Sequence, residues 1–174
     1  MSIIGNKTIN YAIYDRTDGW AKPVTETTSY KRPSLGMLTG TIEGGGINGE
    51  IELPALAQLE AMEFEIDLKK TNEDAITLFA PGSHKIEIRW ANDAIDSATG
   101  KVMVGGNKEI IIYVPMSFDM GKVEKNETND AKLKGQILYY QYIQGGVSLI
   151  EIDRLNNIFK INGVDYAASI RDAL

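Results

Sequence analysis

The stretch that decides the fold is the C-terminal block at residues 147–174, VSLIEIDRLNNIFKINGVDYAASIRDAL. It follows directly on Gln144-Gly145-Gly146, a turn signal, so residues 147–153 are predicted to be the return strand of a β-hairpin. The partner strand is the tyrosine-rich run at residues 136–143, QILYYQYI, which precedes the turn. The C-terminal part of the chain is therefore predicted to begin with a pair of antiparallel strands.

The rest of the block predicts further short elements in close succession. An apolar run at residues 158–161 precedes Asn162-Gly163, which favours a tight turn because both residues tolerate positive φ. Asp165 is the predicted N-cap of a small helix at residues 166–173. The block contains no pattern typical of a nucleophile or a metal site, so we predict a structural role for it.

Composition limits the classes of protein to which the chain can belong. Its 174 residues, 43% apolar and 24% charged, are typical of one globular domain, here predicted over residues 1–174. The absence of cysteine excludes disulfides and cysteine-based zinc sites and fits a reducing cytoplasm. The net charge of -6 is unfavourable for a general nucleic-acid-binding surface. We find neither a signal-peptide pattern nor an apolar run of the roughly 20 residues that cross a bilayer, so no membrane binding is expected.

Alternating apolar and polar residues predict that most of the chain is β-strand. Outside the C-terminal block, strands are predicted at residues 9–14, 24–30 (paired back on the first), 62–68, 85–90 and within 102–116. The total is eight or nine strands, without a regular alternation of strand and helix. The predicted fold class is mainly β: an antiparallel β-sandwich or split barrel with one packed α-helix and long loops.

The packed helix is predicted directly after Asn72. Asn72 can cap it, and Glu73 and Asp74 occupy the first turn, where the helix dipole favours acidic residues. Pro81-Gly82 ends it. Residues 54–61 are ambiguous, because the proline that opens them can also begin a helical turn.

Two polar segments are predicted to lie outside the strands. Residues 92–101 have the composition of a turn region, and residues 119–134 that of a mobile loop or arm. By contrast, residues 110–114, IIIYV, are apolar on both faces. A strand of this kind needs cover from a second layer or from another subunit.

A glycine-rich segment at residues 41–53, TIEGGGINGEIEL, lies between two short alternating runs. Its central residues are Gly44, Gly45, Gly46, Ile47, Asn48 and Gly49. A phosphate-binding loop is excluded, because no Lys-Ser or Lys-Thr follows and no helix clearly begins there. We interpret the segment as a long β-turn or hairpin arm, and it is a candidate inter-subunit or inter-ring loop.

Acidic residues are concentrated around the strand at residues 62–68. Between residues 43 and 74 the chain has nine acidic and two basic residues. The alternation places Glu63, Glu65 and Asp67 together on one face of the strand, opposite its apolar residues. This face can be simply solvated, or it can line a shared cavity that repels phosphate.

The sequence offers little support for catalysis. His84, the single histidine, follows Pro81-Gly82-Ser83 and has no recognisable serine or cysteine partner, so a turn residue is the favoured interpretation. Asp93 and Asp96 lack the spacing of a calcium loop. Paired carboxylates can hydrolyse glycosidic bonds, but acids on one strand face are also what solubility requires. We predict no catalytic residue, no metal and no cofactor.

The C-terminal block resembles a known family, the major tail tube protein of contractile-tailed bacteriophages and of phage-tail-like bacteriocins. The resemblance rests on Ile150-Glu151-Ile152-Asp153, Asn156 or Asn157, Ile161-Asn162-Gly163-Val164-Asp165 and a short tail that ends at Leu174. Upstream, Pro33-Ser34-Leu35 is similar to an L-P-x-L step of that family. The glycine-rich segment, the acidic strand and the helix after Asn72 also follow in the family's order.

The resemblance implies a non-enzymatic structural subunit. In that family, subunits form hexameric rings that stack into an inner tail tube, and contraction drives the tube through a target envelope. The implied partners are further copies of the chain, the tail sheath protein, the tape measure protein, and the baseplate and tail terminator proteins. DNA is expected only in transit. The implied location is a virion tail or phage-tail-like particle that assembles in the bacterial host cytoplasm. The candidate lumen face is Glu63, Glu65 and Asp67.

Two other classes of function stay open at this point. A monomeric β-sandwich can bind carbohydrate by stacking sugars on Trp90, Tyr139, Tyr140 and Tyr142. A small carboxylate hydrolase is the other alternative.

Overall fold

The computed structural model describes residues 2–174, and β-strands dominate this part of the chain. The strands are β1 Ile3–Asp15, β2 Lys22–Pro23, β3 Thr27–Lys31, β4 Met37–Ile42, β5 Ile51–Leu59, β6 Glu63–Leu68, β7 His84–Asp96, β8 Val102–Asp119, β9 Ala131–Gln144, β10 Val147–Asp153, β11 Ile158–Ile161 and β12 Val164–Asp165. Two short helices are α1 Glu73–Thr77 and α2 Ala168–Ala173. The prediction of a mainly β fold is confirmed. Neither helix has the length or hydrophobicity needed to cross a membrane.

Ten strands form one antiparallel sheet, and β4 and β5 form a separate ribbon. The main path runs β12-β11-β10-β9-β8-β7-β1-β2, with β3 and β6 off this path. One edge of β9 pairs with β8, whereas its other edge pairs first with β6 and then with β10. The hydroxyl of Tyr30 on β3 donates a hydrogen bond to Glu109 on β8, at 2.6 Å, so the β3–β6 layer folds back over the main sheet. The result is an open sandwich, in agreement with the predicted class.

The core lies between these two layers and is built from alternate residues of the long strands. Its side chains are each at most 2% exposed in β1, β6, β7, β8 and β9: Ile13, Phe64, Ile66, Leu68, Ile86, Ile88, Ile111, Tyr113, Leu133 and Ile137. Burial of one such aliphatic or aromatic side chain contributes about 1.5–3 kcal/mol. The period-two pattern of the sequence therefore corresponds to the buried face of each strand.

Asn72 caps α1 as predicted. Its Oδ1 accepts a hydrogen bond from the backbone N–H of Ala75 at 2.9 Å, and Glu73 and Asp74 occupy the first turn. At the other end of the chain, the predicted Asn162-Gly163 turn has φ values of 50° and 83°. Both local signals, the Asn72 cap and the Asn162-Gly163 turn, are thus confirmed.

The predicted second strand is wrong in its pairing. Of residues 22–31, Lys22–Pro23 form a short strand with β1, and the N–H of Val24 donates to the carbonyl of Ile13 at 2.8 Å. The chain then turns at Glu26, which has a φ of 65°, and residues 27–31 pair with β6 instead. The N–H of Lys69 donates to the carbonyl of Glu26 at 2.8 Å and fixes this crossing between the two layers.

Other predicted boundaries also shift. Pro54 lies inside β5, opposite Thr39 of β4, so the helical option for residues 54–61 is wrong. The proline is tolerated because β5 has a strand neighbour on one side only. Residues 92–96 belong to β7, because they pair with the first residues of β8. The loop expected at residues 119–134 is shorter and spans residues 120–130.

Asp165 does not cap the C-terminal helix. It lies in β12, paired with Lys160, and α2 begins three residues later with Ala167 as its N-cap residue. The Asp165 carboxylate instead accepts hydrogen bonds from the N–H of Ala167 at 3.0 Å and from Arg171 Nη2 at 2.6 Å. The ion pair with Arg171 holds the pKa of Asp165 below its ordinary value.

Candidate assembly surfaces

Within residues 2–174, no group of three or more metal-ligating side chains is close enough to hold an ion. The only histidine, His84, opens β7 and is 8% exposed. Its Nε2 lies 2.7 Å from the carbonyl oxygen of Ala80, and its ring stacks on Tyr113. These contacts place His84 at the edge of the core, at the start of a strand.

A large exposed apolar surface is the two-stranded ribbon of β4, β5 and residues 43–50 between them, which we call the arm. Its large apolar side chains are 40–59% exposed: Met37, Leu38, Ile42, Ile51, Leu53 and Leu56. An isolated two-stranded ribbon is marginally stable in water, and an exposed apolar surface of this kind marks an interaction site. The sequence interpretation of residues 41–53 as a hairpin arm is confirmed; its role between subunits stays a prediction.

The arm is anchored only at its base. Arg154 donates from its guanidinium to the carbonyl oxygens of Leu59, at 3.0 Å, and Glu60, at 2.9 Å. At the other end, Ile42 pairs with Ile51, and residues 43–50 form the tip. Three glycines of the tip have positive φ: Gly44, Gly46 and Gly49. The tip backbone therefore follows a path that larger residues rarely adopt.

The candidate lumen residues share one face of β6, as predicted. Phe64, Ile66 and Leu68 point into the core, so the intervening Glu63, Glu65 and Asp67 point outward. The structure also brings two lysines of β9 to this face, which the sequence did not predict. Lys132 Nζ lies 3.0 Å from Glu65 and 3.7 Å from Asp67, and Lys134 Nζ lies 3.3 Å from Glu65.

These lysines change the electrostatics of the acidic strand. The hydrogen bond from Lys132 to Glu65 holds the pKa of that carboxyl below its ordinary value. Glu63 lies beside Gln136 rather than a lysine and stays exposed. Lys31 of β3, the cross-strand partner of Glu65, adds a third lysine, so the face is a set of interleaved opposite charges and not an uninterrupted acidic row.

The strand that is apolar on both faces is covered on one face only. Ile111 and Tyr113 of β8 are fully buried, whereas Ile110 and Ile112 on the opposite face are half-buried and Val114 is 39% exposed. The second layer predicted for this strand therefore covers only the face that carries Ile111 and Tyr113. Cover for the other face by a second subunit stays a prediction.

A cluster around one buried carboxylate, which we call the Arg32 clamp, joins the two layers just before the arm begins. The carboxylate of Glu109 has no exposed surface and accepts hydrogen bonds from Tyr30, Tyr140 and Arg32. The Arg32 guanidinium also lies 5.0 Å from the ring centre of Trp90 and 4.7 Å from that of Tyr142. Both the ion pair and the cation–π contacts hold Arg32 against the main sheet.

The same cluster removes the surface on which the carbohydrate-binding alternative depends. Trp90 and Tyr142 stack on each other at 5.8 Å, but Arg32 lies over both rings. Tyr140 is 3% exposed, and Tyr139 points to the opposite face of β9. The four aromatic residues therefore do not form one open stacking surface.

Alkaline pH is expected to destabilise the protein through the tyrosines. Burial, followed by the charge of Glu109, raises the pKa of Tyr30 and Tyr140 far above ordinary values, and burial raises the pKa of Tyr139 to about 12. The folded state therefore keeps these protons where the unfolded chain, with tyrosine pKa values of about 10, loses them.

The contribution of these tyrosines to the free energy of unfolding should be constant below about pH 10, and the free energy of unfolding should fall as pH rises from there toward 12. Urea titrations at several pH values, with tyrosinate absorbance as a second signal, measure this. The variant Tyr30→Phe should show a shallower fall. A free energy of unfolding that stays level to pH 12 would contradict the expectation.

An open β-sandwich with an uncovered apolar arm is typical of a subunit that completes its surface in an assembly. The sequence model of the phage tail tube protein FII family matches residues 17–174, and the chain belongs to this family. The tail tube protein of Escherichia phage P2 is 30% identical over 146 residues, which are 78% of this chain and 80% of that protein. The resemblance drawn from the C-terminal block is confirmed.

Two solved structures share the fold. One is a chain in the structure of the PVC sheath/tube terminator, from an extracellular contractile injection system: its TM-score is 0.51 at 12% identity, over 80% of this chain and 95% of that chain. The other is a chain of the anti-feeding prophage baseplate: its TM-score is 0.51 at 10% identity, over 82% of this chain and 97% of that chain. At these identities the likeness concerns the fold alone.

Proposed function

We propose that the chain is the structural subunit of the inner tube of a phage-type contractile tail. Six copies form a ring, rings stack into a tube, and contraction of a surrounding sheath drives the tube through the target envelope. The observation that carries this proposal is the arm, an apolar ribbon whose longer strand has nine residues and whose large apolar side chains beyond its base are exposed among residues 2–174. Membership of the phage tail tube protein FII family supports the same assembly.

The partners follow from the place of the tube in such a particle. Further copies of the chain cover the arm and the half-buried face of β8. The sheath surrounds the tube, the tape measure protein lies within it during assembly, and the baseplate and tail terminator proteins close its two ends. DNA passes through it without a binding site, and the subunit performs no catalysis. Assembly takes place in the bacterial host cytoplasm.

Negative-stain electron microscopy of the purified protein tests this function. Rings or stacked tubes, formed alone or on an added baseplate-like nucleus, are the expected result. A protein that stays monomeric at high concentration and never joins such a nucleus would overturn the proposal.

Deleting residues 44–49 is expected to block assembly and to leave the fold intact. The deletion joins Glu43 to Glu50, whose neighbours Ile42 and Ile51 are already paired, so a two-residue hairpin can close the ribbon. Circular dichroism and thermal unfolding should match the parent, while light scattering shows no polymer. The control is Gly45→Ala, because Gly45 has no positive φ and its added methyl group meets no atom within 4 Å. Tubes formed by the deletion variant would exclude the tip as an assembly element.

We assign the outward face of β6 to the channel wall. Glu63, Glu65 and Asp67 lie together there, and Glu65 and Asp67 engage Lys132 and Lys134, so the surface offers phosphate no unpaired lysine of β9. A cryo-EM map of the assembled ring tests this assignment. Location of those side chains on the outer wall would refute it.

A further inference from the structure

An open groove of about 590 Å³ crosses the main sheet on the face opposite the core. Its floor consists of Ala12 of β1, Ala91 of β7 and Gly106 of β8, and Gly146 of the β9–β10 turn closes one end. A methyl group added to Gly106 would meet no atom within 4 Å, so the floor is open. The groove is therefore open to solvent, and none of residues 2–174 fills it.

The charged side chains that line the groove are cationic. Arg89 and Lys108 are cross-strand neighbours on its wall, and its lining includes no acidic residue. Arg89 is paired with Glu87 and lies over the ring of Tyr14. Lys108 takes part in none of the ion pairs within residues 2–174. In a chain of net charge -6, this site offers an uncompensated positive charge.

The tip of the arm carries the opposite charges. Residues 37–59 contain three carboxylates and no lysine or arginine. Two of these, Glu43 and Glu50, directly flank the paired residues Ile42 and Ile51, so they are close together at the base of the tip. The two adjacent acids of the tip thus match Lys108, which has no ion pair within residues 2–174, and its neighbour Arg89, which already has Glu87 as a partner.

The distance between the arm and the groove in one copy favours contact between different copies. The arm is anchored by Arg154, just after the end of β10, whereas the groove reaches Gly146, just before its start. Seven residues of β10 separate these positions by about 23 Å at about 3.3 Å per residue. An arm that docks in the groove of another copy makes a head-to-tail contact, which repeats around a ring or along a stack.

We propose that the arm tip of one copy docks in this groove of a second copy. Glu43 and Glu50 pair with Lys108 and Arg89, and the apolar residues of the arm cover the groove floor. This inference rests on the proposed function, because it assigns the receptor surface for the arm within the tube.

Engineered disulfides test the docking directly, because the chain has no cysteine of its own. The variant Asn48→Cys with Ala91→Cys, assembled and then oxidised, should give a ladder of covalent multimers in a denaturing gel without reductant. The matched control combines Asn48→Cys with Gly105→Cys. Gly105 adjoins the groove residue Gly106 in sequence but points to the opposite face of β8.

A charge exchange gives a second, independent measurement. Lys108→Glu should lower the yield of assembled particles at least tenfold without a change in thermal unfolding, and adding Glu50→Lys in the same chain should restore it. Suppose that the parent protein forms tubes, that the Asn48→Cys, Ala91→Cys variant gives no more covalent multimers than its control, and that Glu50→Lys does not restore the particle yield. The groove is then not the receptor for the arm, and the proposed function stands. If the parent never assembles, both proposals fail.

Discussion

Replacing Gly135 by alanine is expected to lower the free energy of unfolding by about 3 kcal/mol, the upper part of the usual range for overpacking. A methyl group at this position would lie 2.5 Å from Tyr113 Cδ2 and 2.6 Å from Phe64 Cε1. Both rings are fully buried and meet edge to face at 4.7 Å. Tyr113 also donates a hydrogen bond to the carbonyl of Leu78 at 2.9 Å, so its ring cannot move away without loss.

Urea unfolding followed by tryptophan fluorescence measures the effect. Gly105→Ala is the matched control, because Gly105 lies in the same sheet and a methyl group there meets no atom within 4 Å. Phe64→Leu should partly restore the stability that Gly135→Ala removes, because the smaller aliphatic side chain vacates the position of the ring. The loss of unfolding free energy in the double variant should therefore be smaller than the sum of the losses in the two single variants. Equal stability of the Gly135→Ala and Gly105→Ala proteins would contradict the packing argument.

The local signals in the sequence predicted local structure well. A strict period of two at residues 62–68 gave the buried and exposed faces of β6, because strand geometry alone fixes which side chains alternate. The Asn162-Gly163 turn and the Asn72 cap depend on neighbours within a few residues, so they too were predictable. The C-terminal block identified the family for the same reason, since its turns and strands follow closely on one another.

The pairing of distant strands was not predictable in this way. Residues 27–31 have strand propensity in either layer, and only the left-handed backbone at Glu26 directs them to β6. Likewise, the helical option at residues 54–61 depended on Pro54, whereas pairing with β4 decides the conformation. Tertiary context outweighed local propensity in both cases.

For the candidate surfaces, too, features set by nearby residues were predictable and features set by the pairing of distant strands were not. The sequence located the arm and the outward acids of β6, and their roles in assembly stay predictions. It did not predict that Lys132 and Lys134 would stand beside those acids, because that requires the β6–β9 register. The Arg32 clamp was missed as well. Its one local signal was a single charged residue, Glu109, directly before the apolar run at residues 110–114.

The second large effect on the free energy of unfolding is expected at the Arg32 clamp. Replacing Arg32 should cost more than replacing Glu109. Arg32→Met retains much of the side-chain volume but leaves the Glu109 carboxylate, which has no exposed surface, without its counter-charge. Loss of one partner from a buried pair costs about 3–5 kcal/mol. Glu109→Gln should cost about 1–3 kcal/mol, because the glutamine keeps an acceptor for Tyr30 and Tyr140 and the Arg32 side chain, 47% exposed, can reach water.

A double-mutant cycle separates this explanation from a simple loss of contacts. Once Glu109→Gln has removed the buried charge, adding Arg32→Met should cost about 2 kcal/mol less than it does in the parent, because no stranded carboxylate remains. Lys122→Met is the control: its partner Glu124 is 53% exposed, and such surface pairs contribute at most about 1 kcal/mol. Additive costs for Arg32→Met and Glu109→Gln would show that the ion pair does not hold the two layers together. Because Arg32 lies five residues before β4, a loosened clamp should also reduce tube yield more than its effect on stability alone predicts.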